Sequence, residues 1–219
     1  MREIRPAGVI LFARNIESPK QLQKLCRQIT ECAGEPGHPP LILLDHEGGR
    51  VHRLTEPFTH FPSQWMLGQA DDTSLTKAVF QAMAREISAV GANVQLGPVL
   101  DLRTQPKNNV IGDRAFGIEP DHTVRHGVAA MHGIQSAGLL PVGKHFPGHG
   151  DTIADSHTEL PTAQAKLETL WQRELIPFQE LIESGLPSIM SAHILVSAME
   201  ASCPGTLSPK VISKLLRQE

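Results

Sequence analysis

Short, continuous apolar segments alternate with amphipathic segments along this chain, and this alternation constrains its fold more than any other feature. Continuous apolar segments are typical of strands buried on both faces, as in a parallel sheet covered by helices. The predicted strands are residues 7–12, 40–44, 94–100, 139–146 and 187–193. The predicted helices, placed by apolar periodicity and capping residues, are 18–33, 74–90, 122–137, 167–184 and 208–218. The chain is therefore predicted to have an α/β fold built from five strand–helix units.

Polar side chains follow four of the five predicted strands. These side chains are Asp45, Asp101, the pair Lys144 and His145, and His193. A doubly wound sheet gathers its ligand groups at one switch point, whereas a (β/α)₈ barrel collects them at the carboxyl ends of many strands. The distribution favours a TIM-type (β/α)₈ barrel. Residues 1–219 are predicted to form one partial barrel domain with about five of the eight strands.

Composition and charge exclude several classes of function. The net charge of −3 and the scattered basic residues predict no nucleic-acid partner. No apolar stretch approaches the roughly 18 residues that span a bilayer, so no membrane partner is expected. The three cysteines form no CxxC pair, and the N-terminus leads directly into a strand-like segment. These features predict a cytoplasmic protein.

The densest group of reactive side chains lies in KHFPGHGDTIADSH, residues 144–157. His145, His149 and Asp151 have the chemistry and spacing of metal ligands, although the adjacent Lys144 disfavours a second cation. Asp155 and His157 could instead form a dyad in which the carboxylate orients an imidazole general acid/base. Structural packing of these side chains is the third interpretation.

Two further segments combine arginines with carboxylates. In LLDHEGGRVHRL, residues 43–54, Asp45 emerges from a buried strand, and the two glycines permit a tight turn that brings Arg50 and Arg53 back toward it. Carboxylates and guanidinium groups together offer acceptors and donors suited to sugar hydroxyls. In NNVIGDRAFG, residues 108–117, Arg114 either reaches a ligand or pairs with Asp113. Structural salt bridges explain both segments equally well from the chemistry alone.

The segment KHFPGHGDTIADSHTELP resembles the signature of glycoside hydrolase family 3. The resemblance is to its β-N-acetylglucosaminidase (β-N-acetylhexosaminidase) branch, which acts in peptidoglycan recycling. The segments GVILFARNI, LLDHEGGRVHRL, GPVLDL, NNVIGDRAFG and SAHI occur in the family's order along essentially the whole chain. The resemblance implies a TIM-like barrel and a retaining, two-step mechanism through a glycosyl-enzyme intermediate.

The resemblance also implies a role for individual residues. Asp45 is expected to bind sugar hydroxyls, in a saccharide pocket completed by Arg53, Arg114, Lys144 and His145. His157, oriented by Asp155, is expected to act as the general acid/base. The ligand is expected to be a small saccharide, either an N-acetylglucosaminide or a muropeptide, and no metal or other cofactor is implied.

The family's nucleophilic aspartate follows the helix after the SAHI strand, and this sequence stops within that helix, at Glu219. The nucleophile, the last strands and the first strand are therefore expected from a longer polypeptide, and the 219 residues alone are expected to be inactive. Two other functions remain open. One is non-catalytic binding of amino sugars or muropeptides, and the other is metal-dependent hydrolysis on the same barrel.

Overall fold

The computed structural model describes residues 6–33, 38–153 and 160–218. Four parallel strands form one sheet in chain order: β1 (Gly8–Leu11), β2 (Leu41–Leu44), β3 (Val94–Gln95) and β4 (Leu140–Pro141). The parallel direction continues through a bridge between Val99 and Lys144 to β5 (Gly143–Phe146), which pairs with β7 (Ile189–Ser191). The five predicted strands are thus neighbours in the order in which they occur along the chain.

The sheet has the arrangement of an incomplete barrel. Within the described ranges, β1 pairs only with β2 and β7 pairs only with β5, so no ladder closes the sheet. A second, small parallel pair joins β6 (Thr162–Ala163) to β8 (Leu195–Val196), in segments predicted to be loops. The fold class predicted from the sequence, a TIM-type barrel with about five of its strands present, is confirmed.

Helices cover the sheet between the strands. They are α1 (Pro19–Ala33), α2 (Gln64–Ala70), α3 (Thr73–Ala89), α4 (Pro120–Ser136), α5 (Leu167–Thr169), α6 (Ile176–Glu183) and α7 (Leu216–Gln218). Single 3₁₀ turns occur at Ala13–Asn15, Gly112–Arg114 and Gly205–Leu207. None of these helices, over the ranges just given, is both long and apolar enough to cross a bilayer.

Local chemistry explains where the longer helices begin and end. Asp72 precedes α3, and its side chain accepts hydrogen bonds from the N–H groups of Ser74 and Leu75. The helix α4 has Pro120 at its first position, where a missing N–H costs nothing. Gly91 and Gly138 follow these two helices with φ of +89° and +80°, the left-handed conformation that ends a helix.

The predicted helix 167–184 is not uniform, because its middle turn is widened. Residues Leu170–Glu174 form a π-helical turn, in which the N–H of Leu175 donates to the carbonyl of Leu170. Pro177 explains this widening, since it lacks an N–H and its ring clashes with the carbonyl four residues earlier in a regular helix. A similar turn, Lys210–Leu215, follows Pro209.

Helix α2 was not predicted from the sequence. It has only seven residues, too few for a periodic apolar pattern, and it depends on tertiary contacts. The Ser63 side chain caps it by accepting from the N–H of Met66. Gly68 lies so close to the carbonyl of Phe116 that a Cβ atom there would lie 1.9 Å from that oxygen.

The apolar core lies between the sheet and the helices. One cluster surrounds Phe80 and Phe116, both fully buried, and joins β1 and β2 to α1 and α3. A second cluster, around Phe146 and Phe178, joins β5 to α6. The two clusters hold the strand ends in fixed positions, and the polar side chains discussed below start from those ends.

We predict that Gly133→Ala destabilises the fold. A Cβ atom at Gly133, in α4, would lie 2.5 Å from the carbonyl oxygen of Lys77 in α3, and backbone cannot move aside as a side chain can. Overpacking of this kind costs about 1–3 kcal/mol of unfolding free energy. The control is Gln135→Ala, at an exposed position of the same helix. Thermal denaturation followed by circular dichroism measures both, and a Gly133→Ala variant as stable as the control would contradict the close packing.

Candidate active site

Six charged or titratable side chains meet where the strands end. We call them the strand-end cluster: Asp45, Glu47, Asp101, Arg114, Lys144 and His145. Asp45 and Glu47 follow β2, Asp101 follows the strand region that begins with β3, and Lys144 and His145 belong to β5. Arg114 comes from the 3₁₀ turn in the loop before α4. The parallel strands place their carboxyl ends at one edge of the sheet, and this brings residues distant in sequence together.

Lys144 lies at the centre of the cluster. Its Nζ is 2.6 Å from Asp45 Oδ1 and 2.6 Å from Glu47 Oε1. The side chains of Lys144 and Glu47 are each 1% exposed, whereas that of Asp45 is 22% exposed. The ammonium group is therefore buried and paired, and Asp45 keeps part of its carboxylate accessible to a ligand.

Arg114 makes a second, two-pronged contact with Glu47. Its Nε and Nη2 donate to the two carboxylate oxygens of Glu47 at 2.8 and 2.9 Å. Burial alone would favour the neutral acid, but the Lys144 ammonium and the Arg114 guanidinium outweigh it and hold the pKa of Glu47 far below its ordinary range. Burial likewise opposes the charge on Arg114, and Glu47 outweighs that effect, so the pKa of Arg114 is raised.

His145 connects Arg114 to Asp101. Its Nδ1 lies 2.6 Å from Asp101 Oδ2, and its Nε2 lies 3.3 Å from Arg114 Nη2. Because a guanidinium nitrogen can only donate, Nε2 accepts and Nδ1 carries the proton that is donated to Asp101. Burial lowers the pKa of His145, in spite of the nearby Asp101, and a neutral ring with this tautomer fits both contacts.

Asp101 also fixes the start of the loop that follows β5. Its Oδ1 accepts the backbone N–H of His149 at 2.7 Å. Burial favours the neutral acid, but His145 and the N–H of His149 outweigh it and lower the pKa of Asp101. The side-chain amide of Asn108 donates to the carbonyls of His149 and Gly150. At Gly150 a Cβ atom would lie 1.6 Å from the carbonyl oxygen of Leu102, so only glycine fits there.

Glu174 is a buried carboxyl beside this loop. Its Oε1 accepts from Arg173, at 2.7 Å from Nε and 2.6 Å from Nη2, while its Oε2 is buried with no hydrogen-bond partner among the described residues. Burial raises the pKa of Glu174 to about 7, and the pairing with Arg173 only partly offsets that effect. A Cβ atom at Gly148 would lie 3.0 Å from the Cβ of Glu174, so this carboxyl packs directly against the loop.

The structure places the predicted site residues in three different ways. It brings Asp45, Arg114, Lys144 and His145 together in the strand-end cluster. Within the ranges that the structure describes, no hydrogen bond or ion pair joins the side chain of Arg53 to that cluster, and its Nε is buried without a partner. Asp155 and His157 lie in residues 154–159, outside the described residues. The roles of these three residues stay predictions.

Three members of the site were not predicted as ligand-binding residues from the sequence. The signal for Glu47 is its spacing, since it follows Asp45 by two residues, which puts both side chains on one face of an extended segment. Asp101 was noted only as a polar strand end. Glu174 lies in the widened turn before α6, far along the chain, and no local pattern distinguishes it from a surface glutamate.

Arg50 has a structural role rather than a place in the cluster. Its Nε lies 2.8 Å from Asp113 Oδ1, and its Nη2 donates to the carbonyl of Val110 at 2.6 Å. Both side chains of this ion pair are more than 40% exposed. The contact joins the turn after β2 to the loop that carries Arg114.

The predicted metal ligands after β5 do not converge. The rings of His145 and His149 have centroids 6.0 Å apart, and Nδ1 of His145 is occupied by Asp101. Among the described residues, the group of three side chains with ligand atoms close enough to share one ion lies elsewhere, at Asp71, His122 and His126.

We predict that Glu47→Gln strongly destabilises the protein at neutral pH. The change leaves Arg114 without its carboxylate partner in the interior, and breaking a buried ion pair costs about 3–5 kcal/mol. Because the pKa of Glu47 is lowered by folding, its stabilisation is present above its ordinary value of 4.5 and is lost as the pH falls below it. The free energy of unfolding at neutral pH should therefore be lower in the variant than in the unchanged chain. On acidification it should fall less in the variant than in the unchanged chain.

The control for Glu47→Gln is Asp113→Asn, which breaks the exposed ion pair with Arg50. Exposed pairs contribute about 0–1 kcal/mol, so this change should have a small effect. Chemical denaturation at pH 7 and at pH 4 measures both variants. An equal decrease in the free energy of unfolding in the two variants would contradict the stabilising role of Glu47 in the cluster.

Comparison with known proteins identifies the family. Residues 2–219 match the glycosyl hydrolase family 3 N-terminal domain. A β-hexosaminidase from Nitrosomonas eutropha is 40% identical over 218 residues, which cover 97% of this chain and 61% of that protein. The chain thus spans about three fifths of the length of this curated relative.

Solved structures give the same result. A glycoside hydrolase family 3 β-N-acetylglucosaminidase from Paenibacillus sp. strain FPU-7 is 41% identical with a TM-score of 0.94, over 99% of this chain and 41% of that one. NagZ from Neisseria gonorrhoeae, in complex with N-trifluoroacetyl-D-glucosamine, is 34% identical with a TM-score of 0.91, over 97% and 63% of the two chains. The resemblance found in the sequence is confirmed, and the chain belongs to glycosyl hydrolase family 3 through the N-terminal domain of that family.

Proposed function

We propose that this chain carries the sugar-binding and acid/base part of a retaining β-N-acetylhexosaminidase. The proposed reaction releases terminal β-linked N-acetylglucosamine from a glycoside. The observation that carries the proposal is the strand-end cluster, in which the buried Lys144 holds a partly exposed Asp45 beside Arg114 and His145. Membership in the glycosyl hydrolase family 3 supports the same reaction class.

The charges of the cluster suit an uncharged polyhydroxylated ligand. Asp45, Glu47 and Asp101 face two cations, Lys144 and Arg114, so that acceptors and donors are both fixed in place by ion pairs. A sugar can exchange hydrogen bonds with such groups without bringing a counter-charge into the interior. The excess of one carboxylate also favours the positive charge that develops on the sugar ring in an oxocarbenium-like transition state.

The proposed substrate is an N-acetylglucosaminide or a muropeptide. The complex of the Neisseria NagZ with N-trifluoroacetyl-D-glucosamine supports an N-acylated glucosamine in the pocket. We further propose that the protein acts in peptidoglycan recycling, in the cytoplasm. Arg53, whose buried Nε has no partner in the part of the chain that the structure describes, is proposed to complete the saccharide pocket when the ligand binds.

The proposed acid/base is His157, oriented by Asp155. In a retaining mechanism this imidazole protonates the glycosidic oxygen and later activates a water molecule. The contacts of Asp101 and Asn108 with residues 149–150 support this role, because they fix the chain five residues before the dyad. The nucleophilic carboxylate is proposed to come from sequence outside these 219 residues.

We predict that the 219-residue chain binds N-acetylglucosamine and does not hydrolyse its p-nitrophenyl glycoside. Asp45→Asn should weaken binding about tenfold or more, because a charged hydrogen bond to the sugar becomes a neutral one. Asp113→Asn, in the exposed pair with Arg50, is the matched control and should bind as the unchanged chain does. Isothermal titration calorimetry measures binding, and release of p-nitrophenol measures turnover.

Each outcome has a distinct meaning. Turnover by the 219 residues alone would refute the placement of the nucleophile. Binding unaffected by Asp45→Asn would refute the assignment of the strand-end cluster as the sugar site. Loss of turnover on chelation, in any active longer form, would favour the metal-dependent alternative.

A further inference from the structure

A second group of chemically reactive side chains lies where α2 ends against α4. Asp71 follows α2, and its Oδ1 is 3.5 Å from His122 Nδ1 and 3.4 Å from His126 Nε2. The two histidines are four residues apart in α4, so they lie one turn apart on the same face. We call these three residues the α2–α4 junction site. None of them belongs to the strand-end cluster.

The separations match those expected around a small metal ion. Zinc binds imidazole nitrogens and carboxylate oxygens at about 2.0–2.1 Å in a tetrahedron, which puts neighbouring ligand atoms about 3.3 Å apart. The two measured separations are 3.4 and 3.5 Å, and all three ligand atoms lie within 4.8 Å of one another. A small movement of the exposed Asp71 and the partly exposed His122 toward the buried His126 would complete the geometry.

The hydrogen bonds define which ring nitrogens carry protons in the metal-free site. Nη2 of Arg125 lies 3.3 Å from His122 Nδ1, and since a guanidinium only donates, that nitrogen is an acceptor. The hydroxyl of Thr76 lies 3.2 Å from the carbonyl of Asp72, to which it donates, and 2.8 Å from His126 Nδ1. His126 Nε2 lies 3.4 Å from Asp71 Oδ1, and because a carboxylate only accepts, Nε2 donates to it in the metal-free protein. A metal ion at this nitrogen displaces that proton, and Nδ1 beside the Thr76 hydroxyl can carry it instead.

The exposed cation Arg125 occupies the space between Asp71 and His122. Arg125 Nη2 lies 3.0 Å from Asp71 Oδ1, and the Arg125 side chain is 52% exposed. The Arg125 guanidinium can move out into solvent, so that no charge is left buried or unpaired when the ion binds. His126, in contrast, is fully buried, so its surroundings hold the imidazole in place beside Asp71.

We propose that the α2–α4 junction site binds a divalent transition-metal ion, Zn²⁺, through Asp71 Oδ1, His122 Nδ1 and His126 Nε2. Arg125 moves away as the ion enters, and water fills the fourth position. Two imidazole ligands select Zn²⁺ over the hard cations Mg²⁺ and Ca²⁺, which prefer oxygen ligands. The bound ion would join the end of α2 to α4 and stabilise that junction.

The test is a Zn²⁺ titration of the 219-residue chain and its variants against a chromophoric chelator. The His122→Gln and Asp71→Asn variants should each bind one equivalent of Zn²⁺ fewer than the unchanged chain. Arg125→Ala should bind that equivalent several-fold more tightly, because the competing cation is gone. His132→Gln, an exposed histidine on the same helix, is the matched control and should leave the stoichiometry unchanged.

Thermal denaturation with and without Zn²⁺ separates binding from misfolding. Zn²⁺ should raise the Tm of the unchanged chain and of Arg125→Ala, and this increment should disappear in Asp71→Asn, whose altered side chain is 58% exposed and whose metal-free Tm checks its folding. The proposal is overturned if Asp71→Asn and His122→Gln keep the full stoichiometry. It is equally overturned if Arg125→Ala binds Zn²⁺ no more tightly, because the ion then does not compete with Arg125 for Asp71 and His122 and must bind elsewhere.

Discussion

The buried ammonium group of Lys144 is the interaction on which the candidate site depends. It lies 2.6 Å from carboxylate oxygens of Asp45 and Glu47, and its side chain is almost completely inaccessible to water. A charge in the interior is tolerated only when it is paired with good geometry. The ends of β2 and β5 must therefore keep a fixed distance from each other, although Lys144 and Asp45 are 99 residues apart in the sequence.

A continuous series of contacts joins Lys144 to the other residues of the strand-end cluster. Glu47 holds Arg114, Arg114 contacts His145, and His145 donates to Asp101. Asp101 then accepts the N–H of His149, at the start of the loop that leads to the proposed acid/base. The proposed sugar-binding residues are thus connected by hydrogen bonds to the start of the loop at His149, so a change at Glu47 should alter the position of that part of the loop.

The sequence predicts the parts of this architecture that depend on local patterns. The five parallel strands follow from their continuous apolar segments, and the place of Asp45, Lys144 and His145 follows from their position at strand ends. The parts that depend on tertiary packing were not predictable. Helix α2 packs closely because Gly68 leaves room for the carbonyl of Phe116. The pKa of Glu174 is raised because the fold buries its carboxyl beside Gly148. The junction site at Asp71 likewise requires two helices to meet.

The most direct test of the account is a crystal structure of the chain with N-acetylglucosamine bound. The account predicts that hydroxyl groups of the sugar lie within hydrogen-bond distance of Asp45, next to Arg114 and His145, while Lys144 stays paired with Asp45 and Glu47. A different cavity, of about 460 Å³, lies between the loop before α4 and the turn before α6, and Thr104, Glu119 and Arg173 are among its lining residues. A sugar bound in that cavity, with the strand-end cluster unchanged, would contradict the central claim.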